Sequence, residues 1–110
     1  MVIDVHAHTF PAEMAAQVLR QLTDRCRVPL RPSADGTVSG LLENMRGAGV
    51  DYAVTCPVAT KPSQFETLLV EALAIRDGGR GELAARHLIP FVSVHPADDA
   101  RFAHLTRVAE

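Results

Sequence analysis

The sequence predicts an α/β domain in which about three parallel strands are covered by helices. Three short segments are rich in Val, Ile and aromatic residues and have the composition of strands: Val2–His8, Asp51–Cys56 and Ile89–His95. The stretches between them have apolar residues at helical spacing, and such strand–helix alternation favours a parallel sheet with crossover connections. The chain has 110 residues, 47% hydrophobic and 22% charged, which suits a single globular domain.

Helical patterns fill the connections in chain order. They are predicted at Pro11–Arg25, Val38–Ala48, the residues that follow Ser63, and Asp98–Ala109. The first has Met14, Val18 and Leu22 on one side. Thr37 is suited to cap the start of the second helix, Gly49 to end it, and Ser63 to cap the third. Residues 27–36 and 78–81, which contain prolines or glycines, are predicted to be loops.

Composition excludes several classes of function. A net charge of −2 gives no basic surface for nucleic acid, so we expect no nucleic-acid partner. No apolar run approaches the roughly 20 residues of a membrane span, and the start does not resemble a signal peptide. Cys26 and Cys56 have no metal or redox spacing and are expected to be reduced thiols. These features predict a cytoplasmic protein without membrane contact.

The spacing of the predicted strands indicates how long a closed barrel of such units would be. Strands beginning near residues 2, 51 and 89 give roughly 40 residues per unit, and a closed eight-unit barrel would need more than twice this length. The last helical pattern is not followed by a strand. Two interpretations stay open from composition: a small three-stranded domain, or a single domain over residues 1–110 that is truncated.

The motif Asp4-Val5-His6-Ala7-His8 has the strongest chemical signal. Alternate side chains of a strand share a face, so His6 and His8 are expected to point the same way, with Asp4 below them. Two imidazoles on one strand face can both reach a divalent ion at the roughly 2 Å bond length of zinc. Ligands of parallel α/β folds bind at the carboxyl ends of the strands, where this pair is placed. The spacing predicts a metal site.

The same motif begins a longer resemblance to a known family. Residues 2–11, Val-Ile-Asp-Val-His-Ala-His-Thr-Phe-Pro, are similar to the opening of amidohydrolase-family-2 proteins, which include decarboxylases of the aminocarboxymuconate-semialdehyde type. The likeness continues in Leu41–Met45, Gly49–Asp51, Pro57–Gln64 and Ile89–Pro96. It is poorest over residues 76–87. The Thr-Lys-Pro-Ser-Gln loop resembles a subgroup of predicted metal-dependent hydrolases.

The resemblance implies the N-terminal portion of a (β/α)8 TIM-type barrel with a catalytic divalent metal, usually zinc, at its carboxyl face. His6 and His8 match the family's first-strand ligands. The implied chemistry is hydrolysis of a C–N or C–O bond, or non-oxidative decarboxylation, through metal-activated water or a metal-polarised substrate. The family's other ligands and catalytic groups lie on later strands. Two histidines are fewer than the three protein ligands usual for catalytic zinc, so the 110-residue chain alone is expected to be inactive.

Other polar residues have weaker functional interpretations. Asp4 is a candidate to orient a ligand histidine, or else to cap backbone amides. Lys61, Ser63 and Gln64 follow the second strand and are candidates to contact a small anionic substrate; the competing interpretation is a capped helix start with an exposed lysine. His95 is a candidate substrate contact or a structural hydrogen-bonding group.

Three further side chains are expected to have no role in the site. Cys56 is expected to be buried and inert. His87 is predicted in a loop and His104 on a helix, both with surface roles.

Two alternative functions remain beside the hydrolase. Phosphoesterases and nucleases of the PHP and TatD types also open with an H-x-H strand, although Thr9-Phe10-Pro11 replaces the Ser/Asp-Gly turn typical of the first. The other alternative is a non-catalytic fragment that self-associates. One face and one edge of the predicted sheet lack cover, which predicts a homo-oligomer, most simply a two-fold dimer.

Overall fold

A computed structural model describes residues 1–29 and 31–109 and contains a three-stranded parallel sheet with five helices. In chain order its elements are β1 (Ile3–Ala7), α1 (Ala12–Arg25), α2 (Val38–Ala48), β2 (Tyr52–Thr55), a 3-10 turn (Pro62–Gln64), α3 (Phe65–Arg76), α4 (Glu82–His87), β3 (Leu88–Pro90) and α5 (Arg101–Ala109). The predicted α/β class and the three parallel strands are confirmed. In this part of the chain no helix is long and apolar enough to cross a bilayer.

The sheet has the order β1-β2-β3, so β2 is central and β1 is an edge strand. Ala53 of β2 lies opposite both Asp4 and Leu88. The register of β1 shifts before Ala7, which lies opposite Thr55. Three steps along β1 therefore match two steps along β2, and one residue is extra, as in a β-bulge.

One face of the sheet forms the core. Side chains of β1, β2 and β3 pack there against α2, α3 and α4 in a buried cluster of Ala7, Met45, Ala53, Ile75, Ala84 and Leu88. We call the other face the open face: by the alternation along the strands Ile3, Val5, Tyr52, Ile89 and Phe91 lie on it, and all five are exposed. The expectation that helices cover only one side of the sheet is therefore met.

Helix α2 begins and ends where the sequence predicts. The Thr37 hydroxyl accepts a hydrogen bond from the Gly40 amide at 3.0 Å, which satisfies one of the free amides of the first turn. Asp35 in turn accepts hydrogen bonds from the Thr37 amide and hydroxyl, at 2.9 and 2.7 Å. Gly49 ends the helix in the left-handed conformation, with φ 68°, which glycine adopts without steric cost.

The third strand differs from its prediction. It covers Leu88–Pro90 instead of Ile89–His95, because β2 ends at Thr55 and Pro57 has no amide hydrogen to extend the ladder. Within residues 1–29 and 31–109, the residues after Phe91 pair with no strand. Ser93 instead accepts a hydrogen bond from the Ala59 amide at 2.8 Å, which ties the loop after β2 to the segment after β3.

Helix α4 was not predicted, and His87 is its last residue instead of a loop residue. The helix has only six residues, too few for a periodic pattern to be evident. Tertiary packing holds it in place, since Ala84 is fully buried against the sheet. The glycine-rich segment before it ends in Gly81, whose φ of 102° suits only glycine.

Two further expectations about helices are wrong in detail. On α1 the buried residue is Ala15, whereas Met14 and Leu22 of the predicted stripe are each half exposed. Ser63 does not cap α3 but lies within the 3-10 turn before it. The Gln64 side chain caps the start of that 3-10 turn, and α3 itself begins without a side-chain cap.

Candidate metal site

His6 and His8 converge at the carboxyl end of β1. Their Nε2 atoms are 3.0 Å apart, and the rings meet edge to face with centroids 4.8 Å apart. Ala7 between them is buried on the helix side, so the alternation of the strand turns both histidines toward the open face. Both side chains are exposed.

A backbone group orients His8. Its Nδ1 lies 2.6 Å from the carbonyl oxygen of Cys56, immediately after β2. A carbonyl oxygen only accepts hydrogen bonds, so Nδ1 carries the proton and the lone pair of the neutral ring is on Nε2. Metal-binding histidines are commonly held in this way, with the remote nitrogen donating to a carbonyl.

The spacing of the two nitrogens fits a shared ion. With metal–nitrogen bonds of about 2.05 Å, the 3.0 Å separation corresponds to a nitrogen–metal–nitrogen angle of about 94°. That angle is within reach of tetrahedral geometry, which needs a separation of about 3.3 Å. The two imidazoles therefore fit two neighbouring positions of a divalent ion.

The described part of the chain does not complete a coordination sphere. Within residues 1–29 and 31–109 no group of three or more His, Cys, Asp or Glu side chains is placed to hold a metal. Neither His95 nor Cys56 joins His6 and His8 in such a group. The described residues therefore bring together two candidate ligands, His6 and His8.

Asp4 does not lie below the histidines. It is opposite Ala53, on the helix side, because the extra residue in β1 breaks the alternation between Asp4 and His6. Its carboxylate is exposed and accepts a hydrogen bond from the His6 backbone amide at 3.0 Å. Of the two interpretations of Asp4, the contacts match the capping of a backbone amide.

His95 lies beyond β3 in an irregular segment. Its Nδ1 accepts a hydrogen bond from the Ala97 amide at 3.1 Å, and its carbonyl oxygen accepts one from the Asp98 amide at 2.9 Å. These are local bonds that shape the turn before α5. They match the structural interpretation of His95 and leave its Nε2 without a described partner.

The loop after β2 contains three candidate substrate contacts. One of them already makes hydrogen bonds within the loop, and the other two are exposed. The Gln64 side-chain oxygen accepts hydrogen bonds from the Thr60 and Lys61 amides, at 2.6 and 2.9 Å, so it stabilises the start of the 3-10 turn. Lys61 and Ser63 are exposed. Among the described residues Lys61 makes no ion pair, and its ammonium group is available to an anion.

Sequence reasoning missed a polar cluster that docks α5. Asp98 is buried and its carboxylate lies 2.9 Å from Nδ1 of His104, which stacks on Phe65 with a centroid distance of 3.9 Å. Arg107 pairs with Glu66 beside them, and this hydrogen-bonded arginine lowers the pKa of the Glu66 carboxyl. His104 therefore has a packing role instead of the surface role expected. The stacking of His104 on Phe65 and the Arg107–Glu66 pair join α5 to α3, which sequence spacing does not indicate.

A broad groove lies at the other end of the sheet. It measures about 370 Å³, opens broadly to solvent, and is lined by Met1, Asp51, Tyr52 and His87 at the amino ends of the strands. His87 Nδ1 donates a hydrogen bond there to the Asp51 carbonyl oxygen at 2.9 Å, because a carbonyl oxygen can only accept. This groove is separate from the histidine pair.

No protein-family model, curated protein or solved structure matches the chain. The family resemblance therefore rests on the motifs quoted from the sequence, and the function that follows is a proposal.

Proposed function

We propose that the chain forms the N-terminal part of a divalent-metal-dependent hydrolase, or of a related non-oxidative decarboxylase, of the amidohydrolase superfamily. The single observation that carries the proposal is the 3.0 Å approach of the His6 and His8 Nε2 atoms at the carboxyl edge of a parallel sheet. The resemblance of residues 2–11 to the start of the family's sequences supports the role of His6 and His8 as metal ligands. We propose zinc as the ion, because imidazole nitrogen suits it well.

The roles of the chain's own groups follow from their contacts. His6 and His8 would each donate an Nε2 lone pair to the ion, and the Cys56 carbonyl would hold the His8 ring in the productive tautomer. When bound, the ion would supply Lewis-acid catalysis on a substrate oxygen or on water. At least one more protein ligand and the catalytic base are needed from outside the described residues. The separate 110-residue chain is therefore proposed to bind metal without turnover.

The same edge offers an anchor for substrate. Lys61 follows β2, is exposed, and has no acidic partner among the described residues. A lysine ammonium beside a metal site attracts carboxylate or phosphate groups. We propose a small anionic substrate whose charged group contacts Lys61, with the neighbouring Ser63 hydroxyl as a second donor. Gln64 is a weaker candidate because its side-chain oxygen is already used within the loop.

We also propose a (β/α)8 barrel fold and a cytoplasmic location. A (β/α)8 barrel is supported by three parallel strands in sequential order, with ligands at the carboxyl edge and an uncovered opposite face. A cytoplasmic location is supported by the two free cysteines, since a reducing compartment keeps thiols unpaired.

Metal titration tests the proposal. Co²⁺ added to the metal-free chain should give an absorption band from histidine coordination, and Zn²⁺ should displace it. The variant His6→Ala/His8→Ala should lose the band. His87→Ala is the matched control, because it removes an imidazole at the opposite edge of the sheet and should bind as the unmodified chain does. An unchanged band in the double variant would refute the assignment of both ligands.

A further inference from the structure

We propose that two copies of the 110-residue chain share one divalent ion, with His6 and His8 of each copy as its four ligands. The ion would then close a two-fold dimer across the open faces. This inference rests on the proposed function in one respect, namely that His6 and His8 bind a divalent metal.

The coordination sphere gives the first argument. Each copy presents two exposed imidazoles, and the described residues supply no third ligand. Zinc in a structural site takes four protein ligands in a tetrahedron, which a two-fold axis through the ion would provide from two such pairs. Opening each pair from 3.0 Å to about 3.3 Å is a small rotation of two exposed rings.

The surface area gives a second and independent argument. The chain exposes 7762 Å² for a mass of 11.9 kDa. A self-contained monomer of that mass exposes about 6,000 Å², so the surplus is about 1,800 Å² per chain. A standard interface buries about 800 Å² on each partner. The surplus is therefore large enough to accommodate one interface.

The position of the apolar surface places that interface beside the histidines. Val5, next to His6, is 72% exposed, and Phe91 just beyond β3 is 55% exposed. With Ile3, Tyr52 and Ile89, the open face offers roughly 500 Å² of surface per copy, if a large apolar side chain has about 200 Å². Two copies would bury about 1,000 Å², which is below the roughly 1,200 Å² usual for a stable complex. The apolar contact area alone is therefore too small for a stable dimer, and dimerisation requires the shared ion.

Light scattering coupled to size exclusion, with metal analysis of each peak, tests the proposal on the 110-residue chain. The metal-free chain should elute as a monomer, and zinc should double its mass from 11.9 kDa at one ion per two chains. His6→Ala/His8→Ala should remain monomeric with zinc, whereas His87→Ala should dimerise as the unmodified chain does. Val5→Asp keeps both ligands and adds a carboxylate to the contact, so it should weaken dimerisation at least tenfold. Circular dichroism of each variant verifies that it is folded.

The outcomes separate this inference from the proposed function. A monomer that binds one ion through His6 and His8 overturns the shared ion and leaves the proposed metal ligands in place. A chain whose zinc binding is unaffected by His6→Ala/His8→Ala overturns both. A dimer that forms without metal, or in the double variant, overturns the inference, because the open faces would then associate by themselves.

Discussion

Replacing His104 by alanine should destabilise the chain more than any other exposed or half-buried histidine substitution. His104 lies on α5 and packs that helix against α3: its ring lies parallel to that of Phe65, and its Nδ1 contacts the carboxylate of Asp98, just before α5, at 2.9 Å. The Asp98 side chain is only 9% exposed, and the His104 side chain 22%. His104→Ala therefore removes a partner that water cannot fully replace.

The expected loss follows from these contacts. A hydrogen bond to a charged group contributes about 1.5–3 kcal/mol, and removal of one partner also leaves the buried group poorly solvated. Stacking on Phe65 adds about 0.5–1.5 kcal/mol. Asp98 keeps the hydrogen bond from the Ala100 amide, which limits the cost. A loss of about 2–4 kcal/mol is a large part of the 5–15 kcal/mol of an ordinary domain.

Urea denaturation followed by circular dichroism measures this loss. With a slope of about 1.5 kcal/mol per molar, the midpoint should fall by about 2 M. His87→Ala is the control, because it removes one hydrogen bond to a carbonyl and should cost about 1 kcal/mol or less. In a double-mutant cycle, Asp98→Ala and His104→Ala should show a coupling of about 1–2 kcal/mol. Equal midpoints for His104→Ala and His87→Ala, or additive effects of the pair, would refute the reasoning.

Two smaller predictions concern a helix cap and an ion pair. Thr37→Ala should lower the free energy of unfolding by about 1 kcal/mol in urea denaturation, because it frees the Gly40 amide, and Thr37→Ser should restore it; equal losses in the two variants would contradict the cap. The Arg107 hydrogen bond lowers the pKa of Glu66 in the folded chain, so this stabilisation is present above the unfolded value of about 4.3 and is lost as pH falls through the lower folded value. The small melting-temperature deficit of Glu66→Gln at neutral pH should therefore vanish in strong acid; a constant deficit at all pH values would argue against the pairing.

The parts of the fold that the sequence predicted are those with local signals. The first two strands, α2 and both of its ends follow from composition, periodicity and the preferences of Thr37 and Gly49. The close approach of His6 and His8 follows from a spacing of two on a strand. Each of these depends on residues within a few positions of one another, where backbone geometry alone limits the outcome.

The parts that it missed depend on distant partners. The length of β3 is set by where β2 ends, and α4 is held by burial of Ala84 instead of by its own periodicity. The Cys56 carbonyl that orients His8 is a backbone group, and any residue could supply it. The stacking of His104 on Phe65 likewise depends on how α5 docks against α3. The sequence pattern within a few residues does not predict these contacts between distant segments.

One extra residue in β1 determines how the histidine pair is presented. Asp4 and Ala7 both lie opposite helix-facing residues of β2 although they are three positions apart, which a regular strand does not allow. A strand without the irregularity would keep His6 on the face of Asp4, against the helices. With the extra residue, Ala7 packs in the core and the rings of His6 and His8 lie on the open face. An ion or a second copy of the chain can reach them there. The Cys56 carbonyl can accept from His8 because β2 ends one residue earlier, at Thr55. A bulge and a strand end, both backbone features, thus set the geometry of the candidate site.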